Sequence, residues 1–267
     1  MGKKVFSLCM ALVLCLSLLP ATALAAGAPS GQTIYVGGKE VTSGGYWTTD
    51  SEGKVTSAGA TQPSDNYIHY DAADNTLTLH NATIREYVPS DTSTFITGTA
   101  IGVLNRNGDA ELTITLEGTN TIAKVGKGIF VLANSTGGAT LNITGDGSLD
   151  ASASQTGIFV QSNSGNAALT IQNADVEAEV TGLSGDGVLV QAGQSSNASL
   201  SVNGGSLTAT GSGTYGAGIK FQFGSRDYNS GTPSLTVSGN AMVKASSDTG
   251  GITSNSSPVT PSGTGIV

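Results

Sequence analysis

Residues 157–178 read GIFVQSNSGNAALTIQNADVEA. Three apolar pairs with a period of two stand in this stretch, Ile158 and Val160, Leu169 and Ile171, Val176 and Ala178, parted by Ser, Asn and Gly. Such alternation marks half-buried β-strands, because successive strand side chains point to opposite faces, and the residues between are turn formers.

The same unit returns on both sides. The middle pair recurs as a Leu-x-aliphatic triplet at Leu77-Thr78-Leu79, Leu112-Thr113-Ile114, Leu141-Asn142-Ile143, Leu200-Ser201-Val202 and Leu235-Thr236-Val237. The first pair recurs at Ile101 and Val103, Ile129 and Val131, Val188 and Val190, and Ile219 and Phe221, each after a small residue: Ala100, Gly128, Gly187 or Gly218. A third apolar point follows each triplet, at Ile84, Ile122, Leu149, Leu207 and Val243, and alanine stands two residues beyond it at Ala151, Ala209 and Ala245.

Three short strands per unit of roughly 30 residues, with no helical stripe between them, predict a solenoid in which each strand pairs in parallel with its counterpart one coil away. A sandwich or a propeller would not require the same triplet at the same point of every unit. The reading is all-β: a single-chain parallel β-helix of five to six rungs over residues 77–252.

Residues 26–76 do not follow the repeat. Tyr35-Val36-Gly37-Gly38-Lys39-Glu40-Val41 reads as two short strands about a Gly-Gly turn, and the segment is expected to cap the first rung. Residues 253–267 read as a Ser/Pro-rich tail or the start of a truncated rung.

Residues 1–25 show Lys3 and Lys4, an apolar run from Val5 to Leu19 and the triplet Ala23-Leu24-Ala25, the layout of a secretory signal cleaved after Ala25. The run is shorter than a bilayer span, so no membrane span is expected after its removal. Both cysteines, Cys9 and Cys15, lie inside it, which leaves the mature chain to packing alone. Removing two lysines leaves nine basic side chains against nineteen acidic ones, a net charge of −10 that disfavours nucleic acid as a partner. The expected location is extracellular or on the cell surface.

The Tyr35-Val36-Gly37-Gly38 opening, the run from Tyr70 to Leu79 and the Gly-Ile-x-Val units resemble a group of secreted bacterial parallel β-helix proteins described as carbohydrate-binding-domain-containing. The resemblance covers most of the mature chain. It implies a right-handed coil and a surface location. The expected partner, a polysaccharide, a surface glycan or another protein, is read from the outward faces instead.

Alternation fixes which side chains face out. Phe130, Phe159, Leu189 and Lys220 form one outward column, a candidate ligand strip that a loop or the cap would equally well cover. On another face Thr78, Thr113, Thr115, Asn142, Thr144, Thr170, Gln172, Ser201, Asn203 and Thr236 give a flat polar array, a candidate glycan face also explained by ordinary cross-strand pairing. For an enzyme on this fold, a polysaccharide lyase or glycoside hydrolase, the candidate acids are Asp150, Asp175 and Glu177, outward residues that more often only solvate a strand. No acidic cluster is evident beside Lys220 or Lys244. His69 and His80 lack the spacing of a metal site and read as polar surface histidines, and Asp146-Gly147 and Asp186-Gly187 read as turns. No cofactor or metal is expected, and the primary reading is a non-catalytic module, a structural stalk or a glycan or adhesion contact.

Overall fold

The computed structural model describes residues 27–90, 95–224, 230–248 and 250–266. The expected signal segment, with the cleavage expected after Ala25 and both cysteines, lies outside the described residues. Among the described residues the chain is all-β and winds into a parallel solenoid of about five turns. No helix among them is long and apolar enough to cross a membrane.

Each coil has three sides. On the first, Ile101, Ile129, Ile158, Val188, Ile219 and Ile252 lie in register on successive parallel strands. On the second, Leu112, Leu141, Leu169, Leu200 and Leu235 do the same. On the third, Leu149, Val176, Leu207 and Val243 form the column. These columns are buried, Ile252 only partly, and merge into one continuous core. Each fully buried aliphatic side chain contributes about 1.5–3 kcal/mol, so the stacked columns are the main stabilising feature.

The glycines ahead of Ile129 and Ile158 are set by the stacking distance. A Cβ on Gly128 would meet the Gly157 carbonyl oxygen at 2.4 Å, and one on Gly157 would meet that of Gly187 at 2.7 Å. Further along, Phe221 stands in the valine column, opposite Val190, and Phe223 opposite Ala192, so larger side chains fill the core there.

Two registers differ from the repeat alignment. Leu77 pairs with Ile114 and Leu79 with Leu116, a shift of two residues from the expected pairing with Leu112 and Ile114. Likewise Ile122 pairs with Ala151, not with Leu149. Asn120 takes the place opposite Leu149, buried, with its Oδ1 accepting from the Ala82 N–H at 2.9 Å. Both shifts are even, so each keeps its apolar side chains in the core.

Antiparallel strands close the first coil on two sides. Gln32–Val36 pairs antiparallel with Thr99–Asn105 and with Lys39–Glu40, across Gly37 and Gly38, both at positive φ. On the second side Tyr67–Asp71 pairs antiparallel with Thr76–His80, and Gly45–Thr49 and Val55–Gly59 extend that sheet. Buried Asn75 staples this cap to the solenoid. Its Oδ1 accepts from Gln32 Nε2 at 3.2 Å and Tyr70 OH at 3.0 Å, and its Nδ2 donates to the Glu111 carbonyl at 2.9 Å.

Candidate functional site

The structure brings Phe130, Phe159, Leu189 and Lys220 into one outward column on the first side. The rings of Phe130 and Phe159 stack, with centroids 4.5 Å apart and planes 6° from parallel. Phe130 is not a surface residue, however. Val88 and Ile96 pack over it together with Leu104 and Leu132, leaving it 3% exposed in a small second core. Gly102 stands beside Phe130 in this column, and a Cβ there would meet Ile96 Cδ1 at 2.6 Å.

Leu189 is 8% exposed, and Lys220 Nζ lies 3.5 Å from Asp186 Oδ2. Asp186 opens the strand Asp186–Ala192 and is buried, where the sequence suggested a turn and no acid beside Lys220. Burial raises its carboxyl pKa, against the opposing pull of the Ala217 N–H and Lys220. Half-buried Phe159, partly exposed Lys220 and the neighbouring column of Gln161, Gln191 and Gln222 are among what this side offers to solvent.

The candidate acids lie on the third side. Asp150 stands opposite Glu177 on the next strand, in a column running from Thr121 through Thr208 to Lys244. Asp175 is in the adjacent column, its Oδ1 accepting from Ser206 Oγ at 2.7 Å. All three acids are exposed beside a shallow depression of about 220 Å³. Asp150 and Glu177 thus share one solvated surface at the edge of that depression.

On the second side two outward columns run in register. One contains Thr76, Thr113, Asn142, Thr170, Ser201 and Thr236; the other contains Thr78, Thr115, Thr144, Gln172, Asn203 and Ser238. Neither holds a charge. Parallel strands about 4.8 Å apart make this a polar surface about 24 Å long.

The cap extends that surface with rings. Tyr46 stacks on His69 at 4.1 Å and Tyr67 on His80 at 4.8 Å, while Tyr46 meets Tyr67 edge-on at 5.9 Å. Glu117 Oε2 lies 2.8 Å from Tyr67 OH and 3.1 Å from His80 Nδ1. Burial and this carboxylate push the Tyr67 phenol up to about 12, so it remains a donor at neutral pH. All five side chains are half-buried.

No protein-family model, curated protein or solved structure matches the chain. Among the described residues no three His, Cys, Asp or Glu side chains are grouped to hold a metal ion. The aromatic cluster escaped the sequence reading because its members are far apart in the chain and only antiparallel pairing unites them. The signal available was alternation: Tyr46, Tyr67 and His69 interleave with buried Trp47, Ile68 and Tyr70.

Proposed function

We propose that this protein is a non-catalytic, exported module of the cell surface, a rigid solenoid whose second side lies along a glycan chain. The observation that carries this reading is the pair of uncharged hydroxyl and amide columns, in register over six strands. Side chains fixed by a ladder on both sides lose little freedom on binding, which favours contact with an extended, repetitive polymer. The acidic balance of the mature chain disfavours nucleic acid.

The test is equilibrium binding of the chain lacking residues 1–25 to a panel of soluble polysaccharides. Binding weakened by the double change Thr144→Val/Thr170→Val supports the flat face as the contact, whereas binding that ignores both changes removes it.

One observation favours an enzyme. Asp150 and Glu177 face each other on adjacent strands beside the depression, at a strand spacing close to the roughly 5–5.5 Å between the carboxyls of retaining glycosidases. Release of new sugar ends from the same panel, abolished by Glu177→Gln, would establish that reading instead.

A further inference from the structure

The aromatic cluster of the cap lies at one end of the polar columns, and its outermost ring has an unused face. In the second-side sheet Tyr46 lies between His69 and Gly59. One face of its ring is stacked on His69, while the partner on the other side has no side chain, and the place where a Cβ of Gly59 would stand has nothing within 4 Å. A flat ring with one open face offers a platform for the apolar face of a sugar ring.

Polar recognition is set three strands further along. Glu117 Oε2 is engaged by Tyr67 and His80, and Oε1 has no hydrogen-bond partner among the described residues. That oxygen can accept only from a donor such as a sugar hydroxyl. Tyr46 and Glu117 lie on strands about 14 Å apart, a span suited to more than one sugar unit.

Charge narrows the ligand. The two polar columns hold no lysine or arginine, and the outward column beside them adds Glu111, Thr140, Ala168, Ser199 and Ser234, so no permanently charged cation stands in these columns to meet a carboxylated sugar.

We infer that Tyr46, His69, Tyr67, His80 and Glu117 form the anchoring subsite for an uncharged glycan, with one sugar on the open face of Tyr46 and a hydroxyl of a later unit on Glu117 Oε1. The chain of sugars then continues along the Thr78, Thr115 and Thr144 column, so the cap fixes the end from which it runs. This rests on the reading of the second side as a glycan face.

The experiment is calorimetric titration of the chain lacking residues 1–25 with neutral hexasaccharides of glucose and of mannose and with a hexamer of galacturonic acid. At least one neutral hexamer is expected to bind at least tenfold more tightly than the acidic one. Tyr46→Ala should weaken it at least tenfold, Tyr46→Phe should not, and Glu117→Gln should weaken it severalfold, all with unchanged thermal melts. Equal binding by Tyr46→Ala, or tighter binding of the acidic hexamer, overturns the subsite. If Thr144→Val/Thr170→Val then abolishes binding that Tyr46→Ala leaves intact, the flat-face reading survives without the anchor. If no hexamer binds, both fall.

Discussion

Asn120 lies opposite Leu149 in the third-side ladder and takes the leucine's place in the core, 1% exposed. Its amide serves backbone at the junction of cap and coil, accepting from the Ala82 N–H at 2.9 Å and donating to the carbonyls of Glu117 and Ser148, each at 3.2 Å. Asn120→Leu would complete the aliphatic column but strand the buried Ala82 N–H. Leaving such a group unsatisfied costs about 1–3 kcal/mol, so the variant should be less stable despite its added apolar volume. A thermal melt at or above that of the unmodified chain would contradict this account.

Gly157 has ordinary strand geometry, and its restriction is steric. A Cβ there would lie 2.7 Å from the Gly187 carbonyl oxygen and 3.0 Å from Ala178 Cβ. Gly157→Ala should therefore force adjacent coils apart and cost about 1–3 kcal/mol, as overpacking does. Urea unfolding measures the loss, and an unchanged midpoint would show that the coils have slack at this corner.

Tyr70 predicts sensitivity to alkali. It is buried, and burial foremost pushes its phenol from 10.0 up to about 12. With the folded-state value raised, its contribution is fully present below pH 10 and is lost as pH rises through about 12. Tyr70→Phe should lose the hydrogen bond to Asn75, about 0.5–1.5 kcal/mol at neutral pH, and soften the decline between pH 10 and 12. Denaturant melts across that range check both, and an equally steep decline in the variant would remove Tyr70 as a source.

Asp186 predicts the response on the acid side. Its folded-state pKa lies above the ordinary 3.8, so its contribution is greatest below that value and falls as pH rises through the raised one. Asp186→Asn keeps an acceptor for the Ala217 N–H, at 2.9 Å in the parent, and removes the buried charge. Lys220, partly exposed, can extend its head to water. The variant should be at least as stable as the parent at pH 7 and lose that standing toward pH 4. A larger deficit at pH 7 than at pH 4 would mean that the ion pair outweighs the cost of burial.

The columns from Leu112 to Leu235 were legible because their alternation and spacing repeat without interruption, and backbone pairing follows wherever a coil is regular. The shifts at Leu77 and Ile122 were not, because Leu79 and Leu116 are both apolar and either alignment hides the same kind of residue. The alternation likewise placed Phe130 outward, yet whether it meets water depends on Val88 and Ile96, in a segment outside the repeat. His69 and His80 were visible one at a time, and their partners Tyr46 and Tyr67 come from strands whose antiparallel order no repeat announces.

The two-residue shifts at Leu77 and Ile122 also bear on how such a chain can change in length. A strand that gains or loses two residues slides against its neighbour and still presents apolar side chains to the interior, whereas a change of one turns every following side chain over until the next corner. Tolerated length variation inside strands should thus come in even steps. Odd steps belong to corners such as 134–138, where no alternation has to be kept.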